Sequence, residues 1–248
     1  MKLEVRGLSF AYGPKKVLDE LSFCVEAGEF VSILGPSGCG KSTVLNLLAG
    51  LLRPAAGDVL VDGARVEGAG DGRFAYMPQD DLLFPWKTIL QNVCLYGKIH
   101  GAQKAAREQA LAHMAAFGLA GYENAYPGDL SGGMRQRAAF LRTALCRAEI
   151  LLLDEPFGAL DVISRGDMQD WLLSMRAQLG RTALLVTHDI DEALYLSDRI
   201  LVLRGSPARI VREVDVRRPG KTREWLYGQG ALKGEIHRCI KSEQADEW

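Results

Sequence analysis

No stretch of this sequence approaches the roughly 20 consecutive apolar residues that a membrane-spanning helix requires. Charge of one sign is also missing: 30 Lys and Arg stand against 31 Asp and Glu, a formal net charge of −1. That balance gives no electrostatic case for a nucleic-acid partner. Cysteine is sparse, with Cys24, Cys39, Cys94, Cys146 and Cys239 odd in number, scattered and without a C-x-x-C pair. The pattern argues against a disulfide framework or a zinc site and fits reduced thiols in a cytosolic chain. Met1-Lys2-Leu3-Glu4-Val5 puts a carboxylate where the apolar part of a signal peptide should begin, so no secretory signal is expected. Internal repeats and low-complexity tracts are missing as well. What remains is ordinary, 248 residues of which 48% are hydrophobic and 25% charged. That is enough for one large domain or two small ones with a substantial core.

Against this plain background one stretch stands out, Gly35-Pro36-Ser37-Gly38-Cys39-Gly40-Lys41-Ser42-Thr43. It fits the phosphate-binding template G-x-x-x-x-G-K-[ST]. An apolar run, Phe30-Val31-Ser32-Ile33-Leu34, leads into it. A helical pattern leaves it, with Val44, Leu45, Leu47, Leu48 and Leu51 spaced for one buried face. Glycines let backbone N–H groups turn toward phosphates, and a helix N-terminus adds roughly half a positive charge. In such a loop Lys41 reaches the β- and γ-phosphates and the Ser42 hydroxyl ligates Mg²⁺. Cys39 is tolerated by the template and has no expected chemical part.

Residues 1–34 read as short strands with hairpin punctuation at Gly13-Pro14 and Ala27-Gly28. Tyr12 is either a strand-surface residue or a ring that stacks on a purine, an interaction worth ~1–3 kcal/mol. Strands are expected at 58–62 and 74–77. Gln79 follows, an amide that either ligates Mg²⁺ and orients a water or merely ends a strand. Residues 88–127 are rich in Ala, Gln, Lys and Leu, with helical spacing at 104–117, and read as a mainly helical insert containing an unpartnered His100 and His113. Leu130-Ser131-Gly132-Gly133-Met134-Arg135-Gln136-Arg137 opens another helix running over 136–145. Ser131, Gly132 and Gly133 either hold a second anion or form a simple Ser N-cap.

Ile150-Leu151-Leu152-Leu153-Asp154-Glu155 is a buried strand ending in two carboxylates, which strand alternation should point in opposite directions. Burying both is costly without a metal or a proton-transfer role. Asp161 precedes a helix at about 164–179, and a further apolar strand, 183–187, ends at His188. Asp191 and Glu192 start a short helix, and 199–203 and 209–213 read as strands. Strands alternating with helices predict a largely parallel sheet. In the tail, Arg217, Arg218, Lys221 and Arg223 form a basic cluster, read as a solvated face or a contact for anionic lipid headgroups. Ile236 and Ile240 suffice there for one packed helix.

Tyr12, the Gly35–Thr43 loop, Gln79, Leu130-Ser131-Gly132-Gly133, Asp154-Glu155, Asp161 and His188 follow one another in the order found in ATP-binding-cassette (ABC) ATPases, which the chain resembles as far as about residue 203. The resemblance implies an α/β fold: a P-loop NTPase core with a mainly parallel sheet, an N-terminal antiparallel β subdomain and a helical insert. It places the ATPase domain at 1–214, the insert at about 84–147 and a short C-terminal extension at 215–248. It also assigns roles. Tyr12 stacks on adenine, Lys41 binds phosphates, Ser42 and Gln79 ligate Mg²⁺ with Asp154 supporting it through water, Glu155 is the general base, and His188 contacts the γ-phosphate. Phosphoryl transfer needs mostly positioning and charge stabilisation, which this inventory supplies. The implied active unit is a head-to-tail homodimer in which Ser131, Gly132 and Gly133 of one subunit close on the ATP held by the other.

Leu82-Leu83-Phe84-Pro85-Trp86, then Thr88 and Asn92-Val93, is similar to the importer subfamily for nitrate, sulfonate and taurine, and to members for thiamine-precursor pyrimidines. There the segment usually reads Leu-Leu-Pro-Trp, and Phe84 departs from it. The resemblance implies that Phe84, Pro85 and Trp86 dock an integral membrane permease, with Trp86 alternatively buried in the insert's own core. It further implies a peripheral position on the cytoplasmic face of the membrane and an indirect link to a solute-binding protein. A non-transport ABC ATPase and an exporter subunit are the competing readings. Only about 50 residues separate Gln79 from Ser131, and one cassette is present, which disfavours the coiled-coil and double-cassette architectures of the non-transport class.

Overall fold

Strands that are apolar almost throughout belong where both faces of a sheet are covered. Phe30–Leu34 (β3), Ile150–Asp154 (β7) and Thr182–Thr187 (β8) are of this kind, and every residue in them is buried. In the computed structural model, which describes residues 1–68, 72–158 and 160–241, they form the middle of a six-stranded sheet. Phe74–Met77 (β6) flanks β7, while Arg199–Arg204 (β9) and Arg209–Asp215 (β10) extend the other side, giving the order β10-β9-β3-β8-β7-β6. All neighbours are parallel except β9 and β10. A second, antiparallel sheet runs β2-β1-β4-β5, from Leu3–Tyr12 (β1), Lys15–Val25 (β2), Ala56–Val61 (β4) and Ala64–Arg65 (β5).

Alternation along the central strands divides the core in two. Val31, Ile33, Leu152, Leu184 and Leu201 face the antiparallel sheet and the helix Lys41–Leu48 (α1). Phe30, Leu34, Leu151, Leu153, Leu185 and Val202 face the remaining helices. These are Ile89–Val93 (α2), Leu95–Ile99 (α3), Gln103–Met114 (α4), Gly132–Ala144 (α5), Val162–Leu179 (α6), Ile190–Leu196 (α7), Arg223–Tyr227 (α8) and Gly230–Lys241 (α9). Helices α2 to α5 lie between β6 and β7 in sequence. No described helix is long and apolar enough to cross a membrane.

Three expectations need correction. The helix after the phosphate loop stops at Leu48, because Gly50 adopts a left-handed φ of 71°, and Leu51 is left 59% exposed. The helix expected at 104–117 ends at Met114, ahead of a turn through Gly118 at φ 64°. The tail carries the packed helix expected at Ile236 and Ile240 as α9 and adds α8 before it, with residues 242–248 outside the described part. Most consequentially, the basic cluster is divided: Arg217 and Arg218 are exposed, whereas Lys221 and Arg223 turn inward. Arg217 donates to Glu29 at 2.8 Å, Arg223 to Asp170, Gln169 and Gly166, and Lys221 is buried, donating to the Leu194 carbonyl at 2.6 Å and to that of Ser197.

Burial lowers the Lys221 pKa from 10.5 to about 8. Between those values the unfolded chain binds more protons than the folded one, so this group makes stability rise with pH across that window. Lys221→Met should remove the contribution, about 3 kcal/mol in full. Urea unfolding of both proteins at pH 8 and pH 10 checks this; parallel pH dependences would refute it.

Candidate active site

In open parallel sheets ligands bind beyond the carboxyl ends of the strands. Here β3 ends in the Gly35–Thr43 loop, β6 leads to Gln79, β7 to Asp154 and Glu155, and β8 to His188. A cleft of about 450 Å³ opens along that edge, lined by Tyr12, residues 37–43, Gln79 and Glu155, with Lys15, Val17 and Ser206. Tyr12 closes β1 with its ring 51% exposed, held edge-on against Phe10 at 4.8 Å. Half of the residue's surface is thus left open where it lines the cleft. Lys15, Val17 and Ser206 went unnoticed in the sequence because no motif marks them.

The loop's glycines are required by its path. Gly40 has a φ of 104°, and a Cβ there would meet Val17 Cγ1 at 2.8 Å; at Gly35 it would meet the Leu203 carbonyl oxygen at 2.7 Å. Gly40 caps α1 without any side-chain bond, leaving the first-turn N–H groups for a ligand. Lys41 is only 4% exposed and folds back over the loop, donating to the carbonyls of Gly35 and Pro36 at 2.9 Å each. Its ammonium also lies 3.9 Å from Glu155 Oε1. A concentrated positive charge is thus held at the cleft floor, ready to exchange carbonyl partners for phosphate oxygens.

Ser42 Oγ donates to Asp154 Oδ1 at 3.0 Å, and Tyr76 donates its hydroxyl to Oδ2 at the same distance. Burial pushes the Asp154 carboxyl above its ordinary range, against the pull of those two hydrogen bonds. Tyr76 was not singled out from the sequence; an inward-facing polar group on the strand beside β7 was its only signal. Ser42, Gln79 and Asp154 offer oxygen donors only, the set a hard cation prefers. No group of three or more His, Cys, Asp or Glu among the described residues could hold a metal by itself. That fits Mg²⁺, which takes few protein ligands and completes its shell with water and substrate phosphate.

Glu155 departs from expectation in how it diverges from Asp154. The strand ends at Asp154, and Glu155 has a left-handed φ of 43°, so a backbone turn and not strand alternation separates the two carboxylates. A non-glycine residue held there is unusual and marks functional sites often enough to note. Its amide is anchored to the Val186 carbonyl at 3.0 Å, and its Oε2 lies 3.2 Å from His188 Nδ1. Asp161 caps α6 by accepting from the Ile163 and Ser164 amides.

Ser131, Gly132 and Gly133 are not brought into this cleft. Ser131 caps α5, accepting from the Met134 amide at 3.3 Å, and both Ser131 and Gly132 are exposed. Trp86 is 69% exposed, so it is not a core residue of the insert; Pro85 is exposed beside it and Phe84 half-buried, their rings 5.2 Å apart for Phe84 and Trp86. The fully buried Asn92 holds this loop, accepting from the Phe84 amide and donating to the Phe84, Lys87 and Thr88 carbonyls. Arg135 and Arg142 of α5 bind Asp81 and the Asp81 and Leu82 carbonyls, tying the loop to the helix that Ser131 caps. His100 stacks on Tyr96 and is exposed, and His113 is exposed on α4; neither reaches the cleft.

Cys39 is buried within the loop, and burial raises its thiol pKa. Alkylation at neutral pH should therefore be slow, and once complete should abolish ATP binding by filling the loop. Nucleotide titration of fully labelled protein checks this; unchanged affinity would refute it.

The ABC transporter family model matches residues 18–158. The formylaminopyrimidine import ATP-binding protein ThiZ of Halalkalibacterium halodurans is 44% identical over 243 residues, 95% of either chain. The taurine import ATP-binding protein TauB of Yersinia pestis is 39% identical over 242 residues, 97% of this chain and 91% of that one. Among solved structures, the dimeric bacterial ABC transporter cassette MJ0796 superposes with a TM-score of 0.75 at 29% identity, covering 87% of this chain and 99% of that one. The same cassette in a post-hydrolysis state with ADP and Pi gives 0.74, with the same identity and coverage.

Proposed function

Because this chain belongs to the ABC transporter family and is an ATPase, we propose that it powers a membrane importer as a head-to-tail homodimer on the cytoplasmic face. The observation that carries the reading is the division of its site. The cleft gathers the phosphate loop, Gln79 and Glu155, with Asp154 bonded to Ser42 and His188 to Glu155 behind its lining, whereas Ser131 and Gly132 stand exposed and Gly133 half-buried outside it. One subunit supplies the cradle and the other the second anion-binding helix start, so each ATP is enclosed only when two copies meet.

In the closed site Tyr12 stacks on adenine, and the backbone amides of residues 37–43 with Lys41 hold the phosphates. Mg²⁺, bound by Ser42 and Gln79 with Asp154 behind them, would neutralise charge on the β- and γ-phosphates. Glu155 takes the proton of the attacking water, and His188 steadies the γ-phosphate from the adjacent strand end. Closure, which hydrolysis reverses, is the motion delivered to the permease. The cargo is a small solute of the nitrate, sulfonate, taurine or pyrimidine-precursor class, delivered by a solute-binding protein outside the membrane, a reading supported by relatives named for formylaminopyrimidine and taurine import.

Phe84, Pro85 and Trp86 are the permease dock, since an exposed aromatic on a loop braced by Asn92 is a rigid anchor of the kind that dominates interfaces. The ties from Arg135 and Arg142 connect that dock to the helix capped by Ser131. The experiment for the transport reading is co-purification with the co-expressed permease. Trp86→Ala should leave the ATPase activity of the isolated subunit within about twofold and cost about 2 kcal/mol of permease affinity. Full assembly by the variant would overturn the docking role.

A further inference from the structure

Behind the strand end that carries His188 lies a buried polar chain that the proposed hydrolysis does not use. Thr187, Glu192 and Gln169 are 1%, 4% and 5% exposed. The Thr187 hydroxyl accepts from the Asp189 amide at 3.0 Å and donates to Glu192 Oε2 at 2.6 Å. It therefore grips the chain on both sides of His188. Glu192 Oε1 accepts from Gln169 Nε2 at 3.2 Å, and Gln169 Oε1 accepts from Arg223 Nη1 at 3.0 Å. Arg223 belongs to the C-terminal segment and is fixed by three more contacts: Asp170 Oδ1 at 3.0 Å, the Gly166 carbonyl at 2.8 Å and the Tyr195 ring at 4.4 Å. From the other side, Asp189 is met by Arg165 at 3.8 Å and caps α7 through the Asp191 and Glu192 amides.

We infer that Glu192 is a positioning residue for His188, and that Arg223 of the C-terminal segment completes its support through Gln169. The inference rests on the reading that His188 contacts the γ-phosphate. Each link has a fixed direction. Arg223 can only donate, so Gln169 must turn its oxygen to Arg223 and its amide to Glu192. Both Glu192 oxygens are thereby committed as acceptors, one of them to the hydroxyl that sets the turn at His188. A buried chain of this kind admits one arrangement and loses it when any member has the wrong donor pattern. In sequence Arg223 is one of four tail cations and Glu192 lies at a helix start; the fold joins them to the site.

That directionality supplies a test in which composition is conserved. Glu192→Gln alone leaves one amide oxygen for two donors, so either the Gln169 amide or the Thr187 hydroxyl loses its acceptor, and Gln169→Glu alone sets two carboxylates together. The double variant, Gln169→Glu with Glu192→Gln, restores every bond: Thr187 donates to the new amide oxygen, its amide donates to the new carboxylate, and that carboxylate accepts from Arg223. Turnover and ATP KM are measured on the full-length chain, normalised to nucleotide-binding stoichiometry so that misfolded protein is not counted. Each single variant, and Glu192→Ala, should lower kcat about tenfold with KM within about twofold, because a displaced His188 affects the reacting phosphate and not ground-state binding. Arg223→Met should show a smaller loss of the same kind, and the double variant should recover at least about half of the wild-type kcat. Wild-type kcat in the singles, or a double variant no better than its parents, would overturn the inference. His188→Ala is the control: if it turned over normally, the reading of His188 and the inference would fall together, whereas a dead His188→Ala beside active Glu192 variants would remove the inference alone.

Discussion

Glu155→Gln should bind ATP within a few-fold of the parent affinity, hydrolyse it at least about a hundredfold more slowly, and accumulate as an ATP-bound dimer. The substitution keeps the shape of the side chain and removes its basicity. Glu155 is placed for proton transfer by three constraints: a left-handed turn at φ 43°, an amide tied to Val186, and a carboxylate between His188 Nδ1 at 3.2 Å and Lys41 Nζ at 3.9 Å. The turn and the Val186 tie do not depend on the side-chain charge, and an amide oxygen can still face His188 Nδ1, so the cleft should survive the change with only the long Lys41 contact weakened. General-base contributions run to about 10²–10⁴ in rate, which sets the expected loss. Phosphate release measures turnover and size-exclusion chromatography with ATP measures the trapped dimer. Near-normal turnover would remove Glu155 as the base.

The two classes of residue in this site differed in how visible they were beforehand. The phosphate loop is legible because its job is done by backbone, which demands glycines at fixed spacing, as the clashes awaiting any Cβ at Gly35 and Gly40 show. Asp154 is legible because a carboxylate at the end of four buried aliphatics has few other uses. The alternation of strands with helices also foretold a largely parallel sheet. Strand alternation misplaces Glu155, since a strand pattern holds no sign of a single left-handed residue just beyond it. Tyr76, Glu192 and Arg223 were not legible as site-related, because each acquires its meaning from a partner 78, 5 or 54 residues away. Half of the tail's basic cluster is illegible for the same reason: composition suggests solvent, whereas Asp170 and the carbonyls of Leu194 and Ser197 draw Arg223 and Lys221 inward.

The central claim is that this site is shared between two copies, and two disabled variants put it to the test. Lys41→Ala removes the buried ammonium that faces the phosphates, a charge-assisted contact worth about 1.5–3 kcal/mol, and so lowers ATP affinity by one to two orders of magnitude. Ser131→Arg leaves the cleft intact, since Ser131 is no part of its lining, and blocks the surface that would close on a partner's nucleotide. It should bind ATP as a monomer and hydrolyse almost none. Each protein alone is therefore expected to be inactive, for different reasons. In a head-to-tail pair of the two, one site combines both defects and the other combines the intact cleft of the Ser131→Arg chain with the intact Ser131 of the Lys41→Ala chain. The decisive measurement is the ATPase rate of their equimolar mixture. Shared sites predict recovery of about a quarter of wild-type specific activity, from half the dimers being mixed and half their sites whole. A mixture that gives no more than the sum of its two components would contradict the account.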